Sequence, residues 1–218
     1  LGDVYKRQGY MQLYLYNMNG QLLRKVTDGQ YDVTDVYGYD EQTGATYYQA
    51  AGKNPMNREV YVTYKNGKTE CLTSRDGWNI AVFSADYKYF VNQWSDRNTP
   101  YEYGIFNNSG KETVSLITNS ELKKTLAEYD LPSKEFFSFK TSEGVQLNGV
   151  MIKPANFDAS KKYPVIMWQY SGPGSQQVVN SWNIGSMGQG ALLDQYLVQQ
   201  GFILVCVDGR GTGARGAD

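Results

Sequence analysis

Leu13-Tyr-Leu-Tyr-Asn-Met-Asn-Gly20, Val60-Tyr-Val-Thr-Tyr-Lys-Asn-Gly67 and Tyr103-Gly-Ile-Phe-Asn-Asn-Ser-Gly110 repeat one short pattern. Each is an alternating strand that runs into a glycine-containing turn, and a second strand follows at residues 21–26, 68–72 and 112–117. The Asn66-Gly67 pair is the strongest hairpin signal, because a tight primed turn needs positive φ at both central residues. Glycines 20, 67 and 110 are 47 and 43 residues apart. A period of that size filled only with strands is the mark of propeller blades. Strand-like runs at 33–39, 45–51, 80–83 and 87–94 complete the units. The reading is the last hairpin of one blade and then two complete four-stranded blades. An unrelated meander or sandwich of hairpins is the alternative. The 19 tyrosines, 4 tryptophans and 8 phenylalanines favour strands in either case. A blade buries its faces against neighbours, so blades too few to close a ring are expected to be part of something larger.

The pattern changes after Ile117. Thr118-Asn-Ser-Glu121 offers a capping box, and Leu122, Leu126 and Tyr129 share one helical face until Pro132 stops the helix. Strands are expected at 135–140 and 145–153, joined by Thr141-Ser-Glu-Gly144. The run Pro164-Val-Ile-Met-Trp-Gln-Tyr170 comes next, followed by a Gly-rich loop, a helix at 191–200 and the apolar strand Phe202-Ile-Leu-Val-Cys-Val207. Unbroken apolar strands separated by a helix indicate a parallel sheet covered on both faces. The expected fold class is β-propeller blades, all-β and incomplete, followed by the N-terminal part of an α/β domain. Residues 1–8 do not continue the blade pattern and are set aside as a candidate non-native scar. The blades then occupy 9–118, and the second domain occupies 119–218.

Composition narrows the chemistry. With 41% hydrophobic and 20% charged residues and a net charge of −1, the chain is globular and has no electrostatic footprint for nucleic acid. Its longest wholly apolar run, 202–207, is too short to span a bilayer, and no membrane segment is expected in this chain. Histidine is absent, so this chain alone cannot assemble a Ser-His-Asp triad or a His-ligated metal site. Cys71 and Cys206 are too few for a disulfide scaffold or a thiolate metal site, and both read as small buried hydrophobes. No cofactor or metal is implied.

Lys161-Lys-Tyr-Pro-Val-Ile-Met-Trp-Gln-Tyr-Ser-Gly-Pro-Gly-Ser-Gln176, with Val207-Asp-Gly-Arg-Gly-Thr-Gly213 downstream, resembles the start of the α/β-hydrolase domain of the dipeptidyl-peptidase IV family. This family belongs to the prolyl-oligopeptidase-type serine peptidases. The resemblance covers nearly the whole chain from residue 9, because family members carry a tyrosine-rich propeller just before this domain. It implies that Tyr170 projects its hydroxyl into the oxyanion hole. A phenol suits that task as a neutral donor to charge developing on a carbonyl oxygen. Gly172, Pro173 and Gly174 are expected to shape the turn that aims Tyr170. Asp208 and Arg210 sit at a strand end and read as an ion pair or as loop hydrogen bonds ordering the site wall. Glu41, Asp96 and Arg97 read as solvated loop charges. Trp182 reads as a channel wall or a core anchor.

The family's serine elbow, Gly-x-Ser-x-Gly, does not occur. Gly172-Pro-Gly-Ser-Gln and Gly185-Ser-Met-Gly do not fit its spacing. The chain is therefore expected to be an internal fragment that is inactive by itself and leaves apolar strand surface uncovered. Three readings stay open. In the first, the parent is a serine exopeptidase that removes short N-terminal peptides, often after proline. In the second, it is a non-catalytic binding module on the same scaffold. In the third, it is an acyl-aminoacyl peptidase or esterase. A peptide is the expected partner, substrate-binding residues are unknown, and a homodimer of the parent is left open. A periplasmic or secreted location follows from the resemblance alone.

Overall fold

The computed structural model describes residues 2–5, 9–170, 172, 174–182 and 191–216. The chain divides into two compact units, one holding the tyrosine-rich strands and the other Asp96–Pro100 with Asn119–Gly213.

The first unit contains three antiparallel meanders. Strands β1 (Gly2–Tyr5), β2 (Gln12–Tyr16) and β3 (Leu22–Lys25) pair in order. Four-stranded sheets follow: β4 (Val33–Asp40), β5 (Ala45–Ala50), β6 (Glu59–Thr63) and β7 (Thr69–Cys71), then β8 (Trp78–Phe83), β9 (Tyr89–Ser95), β10 (Glu102–Asn107) and β11 (Glu112–Ile117). Gly2–Tyr5 thus belong to the first sheet, in the register Gly2↔Leu15 to Tyr5↔Gln12, and the exclusion of residues 1–8 fails for these four. Gly-Asp-Val-Tyr is too short to display an alternation, and only its partner strand identifies it.

The hairpin turns differ from the expected two-residue form. The Gly67 N–H donates to the Tyr64 carbonyl at 2.9 Å, and the Tyr64 N–H donates to the Lys68 carbonyl at 2.9 Å. This closes a three-residue loop in which Gly67 alone has positive φ, 85°. The same pair of bonds, and a left-handed glycine, recur at Asn17/Gly20, at Asn107/Gly110 and at Thr141/Gly144. Asn66 remains in the ordinary region, and its Oδ1 accepts the Lys68 N–H at 3.0 Å.

The central strand β5 is buried along all six residues because it packs on both faces. Tyr48 and Ala50 join Leu13, Val26 and Val33 on one side, and Ala45 and Tyr47 join Val60, Val62, Ala81 and Phe90 on the other. Tyr48 and Val60 are fully buried, and Phe90 nearly so. The third sheet turns Ala81 and Phe90 inward, while Ile80, Val82, Tyr89 and Val91 on the opposite face are exposed.

In the second unit, helix α1 (Ser120–Ala127) precedes β12 (Lys134–Lys140), β13 (Gln146–Ile152), β14 (Val165–Trp168), helix α2 (Ala191–Gln199) and β15 (Ile203–Val207). The expected capping box does not form. Asn119 caps the helix from a left-handed conformation (φ 50°) with no side-chain cap bond, a conformation that Asn tolerates better than most residues. No α1 residue is buried. The sheet order is β12-β13-β15-β14. β14 and β15 are parallel, as the intervening helix requires, whereas β13 pairs antiparallel with both β12 and β15. The sheet is therefore mixed rather than purely parallel. Among the described residues it is also not covered on both faces. Val198 of α2 packs on Ile152 and Leu204, with Ile166 alongside, while Val165 and Met167 on the opposite side of β14 are exposed. Among the described residues, no helix is long and apolar enough to cross a membrane.

Candidate functional site

The parallel pair sets the site. Trp168 lies beside Cys206, so Tyr170 and Asp208, each two residues further on, leave the sheet from the same C-terminal end. Sheets of this type build their sites at that edge. The Tyr170 side chain is 57% exposed. Its ring lies against Gly172, where an added Cβ would sit 3.0–3.2 Å from ring carbons and the hydroxyl. Gly172 therefore makes room for the ring. Gly174 supplies a left-handed turn (φ 73°), and Pro173 lies outside the described residues.

Polar bonds hold the loop after Tyr170. The Ser175 Oγ donates to the Gly172 carbonyl at 2.6 Å, and the Ser175 N–H donates to the same oxygen at 3.0 Å. Two backbone bonds join this loop to the one after β15: Gly174 N–H to the Gly211 carbonyl at 3.2 Å, and Gly213 N–H to the Ser175 carbonyl at 3.0 Å. Gly213 has to be small, because a Cβ there would lie 2.6 Å from the Gly174 carbonyl oxygen. The carboxylate of Asp208, 2% exposed, accepts the N–H groups of Gln177 and Val178 at 2.9 and 3.0 Å. Asp208 and Arg210 do not pair with each other. Arg210 reaches Glu143 at 2.7 Å, an exposed contact of little energetic weight.

Glu41 is exposed, as a turn charge should be. Asp96 accepts the N–H groups of Asn98 and Thr99 and is only half exposed. Arg97 is not a solvated charge. Its Nε donates to the Lys134 carbonyl at 3.0 Å, its N–H donates to Asn180 Oδ1 at 3.1 Å, and its guanidinium lies 4.8 Å from the centre of the Phe136 ring. Trp182 lines a recess of about 200 Å³ with Arg97, Asn98, Leu131, Lys134 and Gln195. Burial there lowers the Lys134 ammonium to about 8, against the opposing pull of Asp194. Nothing in the spacing of Pro132-Ser-Lys134 announced a buried lysine. Cys206 is buried as expected, and burial pushes its thiol up to about 12. Cys71 is exposed rather than buried, on the edge strand β7 of its sheet. Gly185-Ser-Met-Gly188 lies outside the described residues.

The sequence missed Ser175, Gly213 and the Gly172–Tyr170 contact. A serine two residues after a Gly-Pro pair was the available signal. The arrangement presents one phenol on a braced loop, and the chain holds no histidine to serve a serine as base.

Comparison with known proteins bears on what this edge belongs to. Residues 2–101 match the family model described as the dipeptidyl peptidase IV N-terminal region. A dipeptidyl peptidase 4 of Trichophyton equinum is 31% identical over 218 residues, covering 98% of this chain and 28% of that protein. A probable dipeptidyl peptidase 4 of Emericella nidulans is 29% identical, covering 99% and 28%. The crystal structure of Porphyromonas gingivalis dipeptidyl peptidase 4 superposes with a TM-score of 0.91 at 39% identity, over 99% of this chain and 30% of that one. The putative dipeptidyl aminopeptidase IV of Bacteroides ovatus gives 0.83 at 25% identity, over 99% and 32%. The chain thus spans under a third of the length of each of these relatives.

Proposed function

We propose that this chain, a member of the dipeptidyl peptidase IV family, is part of a serine-type exopeptidase that hydrolyses N-terminal peptides, often after proline. In this reading Gly2–Tyr5 and residues 9–118 are propeller blades, and residues 119–218 open an α/β-hydrolase domain of the prolyl-oligopeptidase kind. The mixed sheet with its parallel pair β14–β15 and helix α2 supports that assignment. Peptide is the substrate, and the serine, aspartate and histidine of the triad are supplied from outside these 218 residues.

Tyr170 carries the proposal. Its phenol is exposed at the C-terminal edge of a parallel strand, on a loop braced by buried and backbone hydrogen bonds. A neutral O–H held there donates to the oxygen of a scissile carbonyl as that oxygen becomes an oxyanion. Because the donor is already oriented, little reorganisation is needed when the charge develops. Tyr170→Phe in the full-length protein tests this: kcat on a Gly-Pro chromogenic substrate is expected to fall about 10²–10³-fold with KM nearly constant. An unchanged kcat would remove Tyr170 from the chemistry.

A further inference from the structure

The oxyanion reading leaves Asp208 without a task, yet its carboxylate is among the most deeply buried polar groups of the second unit. We infer that Asp208 is a positioning residue that fixes the Tyr170 hydroxyl by clamping the far end of its loop. The inference rests on the proposed role of Tyr170 and adds the element that controls it.

The loop from Tyr170 to Val178 is anchored at its start by β14, which pairs with β15 through Trp168↔Cys206. Its far end has no strand to hold it. The two oxygens of Asp208 take the consecutive N–H groups of Gln177 and Val178, one each, and Val178 is fully buried. Charge-assisted bonds of this kind are about twice as strong as neutral ones, and a buried carboxylate stripped of them would be costly. Asp208 is itself fixed, because its N–H donates to the Asn148 carbonyl at 3.0 Å and it follows directly on β15. The clamp thus transmits the position of β15 to the loop carrying the phenol. Gly174–Gly211 and Gly213–Ser175 are the rungs between. A carboxamide at 208 could accept one of the two N–H groups but would point its own N–H₂ at the other. Asp208→Asn therefore releases the loop end at nearly constant volume.

A double-mutant cycle in the full-length protein decides the matter. Asp208→Asn is expected to lower kcat on a Gly-Pro substrate about 10–100-fold, the usual cost of misplacing a catalytic group by an ångström or less, with KM changed less than about twofold. In a Tyr170→Phe background the same substitution is expected to change kcat less than about threefold, because the group it positions is already gone. A merely structural Asp208 would cost as much with Phe at 170 as with Tyr. An additive cycle therefore overturns the inference, as does an Asp208→Asn enzyme of normal kcat. If Tyr170→Phe alone leaves kcat intact, the oxyanion reading falls first and this one with it. A measurement on the wild-type protein covers the case in which Asp208→Asn does not fold. The Gln177 and Val178 amides are expected to exchange with deuterium far more slowly than those of an unbraced loop. Rapid exchange at both would refute the clamp.

Discussion

Strands β5 and β14 are both short and largely apolar, yet one is buried along its whole length while the other leaves Val165 and Met167 each 58% exposed. The difference lies in the neighbours. β5 has an apolar sheet on either side, so both sets of its alternating side chains leave water. β14 is an edge strand with one face on the α2 cluster and the other bare among the described residues. The blade unit is held by mutual burial. The second unit holds the edge that carries Tyr170 with hydrogen bonds made by a carboxylate, a hydroxyl and backbone groups.

Truncation tests this contrast most severely. Phe90→Ala removes a ring that is 1% exposed and stacked on Phe106 at 5.4 Å, and it is expected to cost about 3–5 kcal/mol. Val165→Ala is expected to change stability by no more than about 0.5 kcal/mol, since the side chain is already wet. Urea denaturation followed by circular dichroism measures both. Equal costs would mean that the blade core and the bare face of β14 do not differ as described.

A finer version sets one turn against its copy. Gly110 and Gly144 close the same three-residue loop with φ of 79° and 82°. A Cβ on Gly144 would meet nothing within 4 Å, whereas one on Gly110 would lie 2.4 Å from the Leu72 carbonyl oxygen. Gly144→Ala is expected to cost about 1–2 kcal/mol from the left-handed backbone alone. Gly110→Ala should add a further 1–3 kcal/mol or so of overpacking. A similar loss of melting temperature in the two variants would show that Gly110 does not pack against the Leu72 backbone.

These turns also show how far the sequence could be read. Alternation and glycine spacing located the strands to within a residue or two, because a two-residue period and left-handed glycines are local properties. Asn66-Gly67 suggested the wrong turn, since a three-residue loop asks for the same glycine at its end and places the preceding Asn in the ordinary region. The strand Gly2–Tyr5, the antiparallel pairing of β15 with β13 and the bare face of β14 are set by partners distant in sequence. At the candidate site, Tyr170 and Asp208 were legible as residues at strand ends. Which group bonds which was not: Asp208 chose backbone over Arg210, and Arg97 chose the Lys134 carbonyl over water.

The smallest expected effect concerns pH, and here the two units behave differently. In the blades, burial raises Tyr37 and Tyr47 to about 12 and raises Tyr31 and Tyr61 as well. The unfolded chain releases those protons near pH 10 while the folded chain keeps them. The stability they hold is therefore whole below pH 10 and is lost as pH rises toward 12. In the second unit two buried groups oppose one another. Lys134, lowered from 10.5 to about 8, is neutral in the fold while the unfolded chain still binds its proton, so it adds stability as pH climbs from about 8 to 10.5. Cys206, raised from 9.0 to about 12, does the reverse from about pH 9 upward. A tenfold change in proton affinity corresponds to about 1.4 kcal/mol, so over the shared window from about pH 9 to 10.5 each contributes on the order of 2 kcal/mol, and there the two nearly cancel. Cys206→Ala is expected to unmask a rise in unfolding free energy between about pH 9 and 10.5, and Lys134→Met to unmask a fall. The slope is the readout rather than the absolute stability, because Lys134→Met also removes a cation that Asp194 attracts. A Cys206→Ala protein whose stability stays level across that range would show that Lys134 keeps its proton in the fold, so that the recess beside Trp182 is wetter than its geometry implies.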